Sequence, residues 1–165
     1  MRPAPVISLT SFDKALEIIA VAGIAFSWIF LLMVMPSLPE KIPTHFDLQG
    51  KPDGFQVKYN ELFLPLFSTI IWVALTILNR FPQIFNYPVQ VTKENAASLY
   101  RKGTFFIRLI KCLVALVFAI IIYATYWYSK HSNSPISQGL LPVLLVVINI
   151  PILLMVIPAF RNKKV

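Results

Sequence analysis

Charge and cysteine are both scarce in this chain. Charged residues make up 13% of 165 positions, and Cys112 is the single cysteine. A typical globular domain carries about 25% charged residues, so this chain lacks the polar coat that a protein needs against water. One cysteine excludes a disulfide framework within the chain and any multi-cysteine metal or redox motif. Acid is scarcer still, with seven Asp+Glu against fifteen Lys+Arg, for a net charge of +8. In place of charge there is apolar surface: 57% of the residues are hydrophobic and the mean hydropathy is +0.70. The thirteen prolines fall among long Leu/Ile/Val/Phe runs, which a disordered chain does not have. The composition is that of an integral membrane protein.

A hydrocarbon core of about 30 Å takes about 20 helical residues. Four stretches meet that length, at about 16–35, 62–78, 104–128 and 140–160, and none carries a charge near its middle. Thr10 or Ser11 caps the first, with Asp13 at its positive end, and Pro36 and Pro39 stop it. The first run is too long for the core of a signal peptide and ends without a small-x-small cleavage pattern, so it reads as a retained helix. Lys/Arg counts orient the bundle. Eleven basic residues (Arg2, Lys14, Arg80, Lys93, Arg101, Lys102, Arg108, Lys111, Arg161, Lys163 and Lys164) lie on one side, against Lys41, Lys51, Lys58 and Lys130 on the other. The expected fold is therefore an all-α membrane protein, a single bundle of four transmembrane helices over 1–165 with both termini inside. It has an ordered external loop at 36–61 between helices 1 and 2, a cytoplasmic loop at 79–103 and a second external loop at 129–139. The basic excess lies on membrane-proximal segments suited to anionic lipid head groups, which argues against nucleic acid as a partner.

The external loop is the most patterned segment. Ile42, Thr44, His45, Phe46 and Leu48 read as an extended run ahead of Gln49-Gly50-Lys51-Pro52-Asp53-Gly54. Pro52 presets φ and Gly54 tolerates φ > 0, so Pro-Asp-Gly predicts a turn and the loop a short hairpin. Its polar residues have two readings. His45, Asp47 and Asp53, with Glu40 or Glu61, could ligate a divalent metal, imidazole and carboxylate being suitable donors, although their spacing matches no established metal motif. Alternatively, Asp53 caps the turn, His45 holds the loop by a hydrogen bond and Lys58 meets a carboxylate or a lipid phosphate. The structural reading is preferred. No complete nucleophile or acid–base constellation is legible, so no catalytic residue and no cofactor are expected.

The motif Leu38-Pro39-x-x-Ile42-Pro43-x-His45-Phe46, followed by Gly50-x-Pro52-Asp53-Gly54 and Lys58, resembles the bacterial membrane family catalogued as domain of unknown function 1648. Pro65, Asn86-Tyr87-Pro88-Val89 and Thr92-x-Glu94-Asn95 are also similar to segments of such proteins, which include the N-terminal part of SdpI-like immunity proteins. The resemblance covers roughly residues 36–100 and implies an integral membrane protein with an outward-facing motif loop. The further spans and second module of SdpI-like members are not found in this sequence.

On the cytoplasmic side, Thr92 begins a capped helix expected to run into the third span. Arg101, Arg108 and Lys111, spaced by seven and three, share one helical face, a docking surface for a soluble protein or a set of snorkelling side chains. Ala20, Gly23 and Ser27 form a small-residue stripe for close packing. Pro65, Pro142, Pro151 and Pro158 bend helices, and Asn149 offers an interhelical hydrogen bond. Cys112 packs in the bundle or, near the inner interface, accepts a palmitoyl group. Tyr123, Tyr126, Trp127 and Tyr128 mark an interfacial belt. With no ionisable group near a span centre, proton coupling and ion transport are disfavoured.

The function expected from these features is non-enzymatic: a multi-pass cell-membrane protein of immunity or sensing type, recognising an external peptide or lipid-like agent and signalling through 79–103. His45, Asp47, Gly50, Pro52, Asp53, Gly54 and Lys58 bind that agent or order the loop. The alternatives are a small metal-dependent membrane enzyme or accessory subunit, and a transporter component working as a homo-oligomer.

Overall fold

The computed structural model describes residues 2–3, 7–47, 51–131 and 146. Helix α1 spans Ser11–Val34 and is followed by a hairpin of strands β1 (Lys41–Phe46) and β2 (Pro52–Val57). Helix α2 covers Phe63–Leu78 and helix α3 Ala96–His131, with short 3-10 turns at Met35–Ser37, Lys58–Leu62 and Pro82–Ile84. Three segments, Ser11–Ser37, Lys58–Leu78 and Ala96–His131, are long and apolar enough to cross a membrane. The expected fourth span, with Pro142, Asn149, Pro151 and Pro158, lies outside the described residues.

Of the two candidate caps for α1, Thr10 is the one used. It holds extended dihedrals, its hydroxyl accepts from the Asp13 amide, and the Asp13 carboxylate accepts from the Thr10 amide at 2.8 Å and hydroxyl at 2.6 Å. This reciprocal box satisfies donors that the first helical turn leaves free. At the start of α3, Thr92 and Asn95 exchange the same kind of bonds, and the helix then runs unbroken through the expected third span.

Helix α1 packs mainly on α3. Ala20, Gly23 and Ser27 are all buried along the contact, and a β-carbon on Gly23 would stand 3.5 Å from the Ala115 backbone. Small side chains thus let the two backbones approach, and Ser27 satisfies its hydroxyl on the Gly23 carbonyl at 2.8 Å. Helix α2 is tied to α1 by Trp28 Nε1 donating to Thr69 Oγ1 at 3.1 Å. Two apolar clusters result, Leu31, Met35, Leu38, Ile42 and Ile122 at the hairpin end and Leu16, Ala20, Cys112 and Ala115 at the other. The outward faces of α1 and α2 present large apolar side chains such as Met33, which is 75% exposed, Ile18, Phe67 and Ile77. Such continuous apolar surface suits lipid rather than water.

Helix α3, at 36 residues, is about 54 Å long against a hydrocarbon core of about 30 Å. Its first turns therefore project past the end of the bundle, where the 79–95 connection wraps them. The close approach falls at Gly103, where a β-carbon would meet Phe85 and Tyr87 at 3.0 Å.

Candidate functional site

The hairpin is antiparallel, pairing Lys41 with Val57, Ile42 with Gln56, Pro43 with Phe55, His45 with Gly54 and Phe46 with Pro52, with irregular register on both sides of His45. Pro52, Asp53 and Gly54 thus lie in β2 and do not form the turn expected of them. The ends of the loop are closed by Asp47: its amide donates to the Lys51 carbonyl, and its Oδ1 accepts from the Lys51 amide, both at 2.8 Å. Gly54 is needed for space, since a β-carbon there would lie 2.8 Å from that of His45. Asp53 is then free of the turn and pairs with His45 Nδ1 on the exposed face. Gly50 lies outside the described residues.

The hairpin is anchored from below. Ile42, fully buried, inserts among Leu31, Met35, Leu38 and Ile122. Lys58 Nζ donates to the carbonyls of Met35 and Leu38, both at 3.2 Å, and its amide to the Glu40 carbonyl at 3.0 Å. Lys130, from α3, donates to the Ser37 carbonyl at 2.5 Å. Two ammonium groups thus occupy the carbonyl-rich end of α1, where the helix dipole favours positive charge. Lys58 is a brace, and its partners are backbone carbonyls, where the sequence suggested a carboxylate or phosphate. Phe55, Val57 and Tyr59 alternate along the edge of this anchored element and are 58%, 44% and 60% exposed. Among the described residues no three His, Cys, Asp or Glu side chains converge as metal ligands.

Glu61, read from the sequence as part of the external loop, is instead only 4% exposed at the base of the hairpin, beside Thr125 of α3. Its Oε1 finds no hydrogen-bond partner among the described residues.

At the opposite end the side chains form a charged network across all three helices. Lys111 Nζ donates to Glu17 Oε1 and Oε2 at 2.6 and 2.7 Å and to Thr76 Oγ1 at 2.9 Å, and lies 5.6 Å from the Trp72 ring centre. Arg108 reaches Asp13 at 3.4 Å and Glu17 at 3.6 Å. Lys111 is 1% and Arg108 7% exposed. The expected docking face of Arg101, Arg108 and Lys111 is therefore not one surface. Only Arg101 is exposed, while the other two turn inward because Asp13 and Glu17 of α1 face them. Two unlike pairs at matching heights were the available signal: Asp13 and Glu17 are four apart, Arg108 and Lys111 three apart, and each pair shares a helical face.

Outside the bundle, Arg2 donates to the Gln83 and Phe85 carbonyls at 2.9 and 2.7 Å and sits over the Tyr87 ring, while the Tyr100 hydroxyl donates to the Pro3 carbonyl at 3.0 Å. Burial pushes the Tyr87 hydroxyl up to about 12, with Tyr100 adding to the effect. Beside it, Leu78, Ile84, Phe85, Gly103, Phe106 and Ile107 line a mostly apolar cleft of about 340 Å³.

Residues 22–70 match the family described as domain of unknown function (DUF1648), a segment that holds the second half of α1, the whole hairpin and the first half of α2. A protein of Archaeoglobus fulgidus, described only as uncharacterized, is 36% identical over 96 residues, which cover 53% of this chain and 51% of that protein. The chain thus spans about half the length of that curated relative. No solved structure matches.

Proposed function

We propose that this is a multi-pass cell-membrane protein, both termini inside, whose hairpin stands on the outer surface and recognises a peptide or lipid-like amphipathic agent as part of an immunity or sensing role. The observation that carries the reading is the contrast within the hairpin. Its inner side is fixed to the bundle by Ile42 and Lys58, while its outer side presents Phe55, Val57 and Tyr59 beside the His45–Asp53 pair. A rigid element with exposed apolar side chains at a membrane surface suits a ligand that is itself apolar on one face, because little ordering cost remains on binding. The kinship to SdpI-like immunity proteins belongs to this proposal, as do contacts with lipids, a homo-oligomeric state and a cytoplasmic partner for the 79–103 segment, where Arg101 is exposed.

The test is binding of labelled amphipathic helical peptides to the full chain in lipid nanodiscs, read by fluorescence anisotropy. Saturable binding is expected, weakened about tenfold or more by Phe55→Ser with Tyr59→Ser, as removal of central aromatic anchors does elsewhere. Equal binding to protein-free nanodiscs would overturn the reading.

A further inference from the structure

The end of the bundle away from the hairpin carries more positive charge than it neutralises. All seven acidic side chains of the protein lie among the described residues, at 13, 17, 40, 47, 53, 61 and 94. Asp13 and Glu17 are taken by Arg108 and Lys111. The next four belong to the hairpin, its flank and its base, and Glu94, at the surface, accepts from Thr92. From Leu62 to Lys93, and from Asn95 to the last residue, there is no acid. Arg2, Arg80 and Lys102 are exposed and meet no carboxylate among the described residues, and the rest of the chain has no acidic side chain to supply one.

These three cations stand about the apolar cleft of about 340 Å³ between the end of α2 and the first turns of α3. Arg2 Nη1 is held on the carbonyls of Gln83 and Phe85, and its guanidinium lies 5.9 Å from the ring centre of Tyr87, so it touches two residues that line the cleft. Its Nη2 and Nε keep their donors, since an arginine has more N–H groups than these two bonds use. Lys102 directly precedes Gly103, another lining residue, and stands one helical turn from Phe106 on the same face. Arg80 follows the lining residue Leu78 by two positions. The Tyr87 hydroxyl donates to the Pro82 carbonyl at 2.9 Å and is thereby satisfied, which leaves the ring itself as wall. The apolar walls Leu78, Phe106 and Ile107 belong to segments long and apolar enough to cross a membrane, whereas Arg2, Arg80 and Lys102 lie toward the polar side of the same opening. Apolar below and cationic above, the cleft has the polarity of an amphiphile's binding site.

We propose that this cleft is a site for one anionic phospholipid of the membrane, with an acyl chain along Leu78, Phe106 and Ile107 and the phosphate at the mouth among Arg2, Arg80 and Lys102. The lipid supplies the negative charge that the chain itself does not provide at this end. Arginine's planar fork matches phosphate oxygens, and basic pockets beside transmembrane helices hold anionic head groups. A zwitterionic lipid brings its own ammonium to the same cations and is the poorer ligand. A free phosphate has no use for the apolar walls, whose enclosed volume falls at the lower end of the range of ligand pockets, about 300–1,000 Å³. Once seated, the lipid joins Arg2, the 79–95 connection and α3 through one head group. The inference stands independently of ligand recognition by the hairpin, which lies at the other end of the bundle.

The experiment titrates the delipidated full chain in mild detergent with dioleoyl phosphatidylglycerol or dioleoyl phosphatidylcholine and counts retained lipid by native mass spectrometry. One phosphatidylglycerol is expected to bind saturably, about tenfold or more tighter than phosphatidylcholine. Arg80→Gln with Lys102→Gln should abolish most of that preference, while Lys41→Gln with Lys51→Gln, an equal loss of charge at the hairpin, should leave it intact. Inorganic phosphate at millimolar concentration should not displace the lipid. A phosphatidylglycerol with a diazirine on its acyl chain, added at one per chain, locates the site and should crosslink to Leu78, Phe106 or Ile107. Ile107→Trp, which fills the cleft, should remove those crosslinks. Monodisperse elution and the melting midpoint report folding for each variant, and should Ile107→Trp fail to fold, the surface variants and the wild-type crosslinks decide the question. Equal retention of the two lipids, displacement by phosphate alone, or crosslinks that avoid the cleft would each overturn the proposal. Crosslinks confined to 140–160 would overturn it too, by giving the cleft to the chain itself.

Discussion

The two ends of the helical bundle use charge in opposite ways. At the hairpin end, Lys58 and Lys130 spend their donors on backbone carbonyls of the segment that follows α1, and the His45–Asp53 side-chain pair faces outward. At the other end, Asp13, Glu17, Arg108 and Lys111 meet side chain to side chain, inside, with Thr76 and Trp72 completing the enclosure of Lys111. The first arrangement fixes a backbone and leaves a surface to display. The second locks three helices together and turns its charges inward. Surface display and helix assembly are thereby separated along the length of one small bundle.

Breaking the locked end should have the largest effect. Lys111→Ala leaves Glu17 beside a cavity with only the longer Arg108 contact, and a loss of about 3 kcal/mol is expected from denaturation in mild detergent, in line with a buried pair losing one partner. Restoring packing without charge, with Lys111→Met and Glu17→Gln together, should return much of that stability.

Next comes the hairpin anchor. Ile42→Ala empties a fully buried position and should cost about 2–4 kcal/mol, with faster amide exchange over 41–57 than over α3. Lys58→Met keeps the aliphatic stem but frees the Met35 and Leu38 carbonyls, for a loss of about 1–2 kcal/mol in the local stability of the hairpin, read as faster amide exchange over 41–57 at unchanged bundle melting. His45→Ala should change stability least, by less than about 1 kcal/mol, because its pair with Asp53 is exposed. Added salt sharpens the contrast. It should leave the Lys111 effect nearly intact, since buried pairs are poorly screened.

Much of this was legible in the sequence, for identifiable reasons. Hydropathy runs and the Thr10–Asp13 spacing locate α1, and the Thr92–Asn95 pair announces that α3 starts well before the apolar stretch. The small-residue stripe of α1 packs as its spacing suggests. Pro52-Asp53-Gly54 misled, because a glycine chosen for φ and a glycine chosen for room look alike in one dimension; only the strand partner, His45, reveals which applies. Charge counting put Arg108 and Lys111 at an inner surface, yet it weighs residues one by one and does not register that Asp13 and Glu17 stand opposite. Glu61 reads as loop in the sequence because it precedes the apolar run, whereas the 3-10 turn at Lys58–Leu62 carries it under the hairpin.

The unbroken length of α3 gives the molecule a mechanical property. The same rod touches β1 near one end and the 3-10 turn at Pro82–Ile84 near the other, with no proline in between to absorb a bend. Over its length, a tilt of about 5° pivoted at one end moves the other by about 5 Å. The two ends of this one rod thus carry, respectively, the hairpin contact and the cluster of Tyr87, Tyr100 and the tethered Arg2.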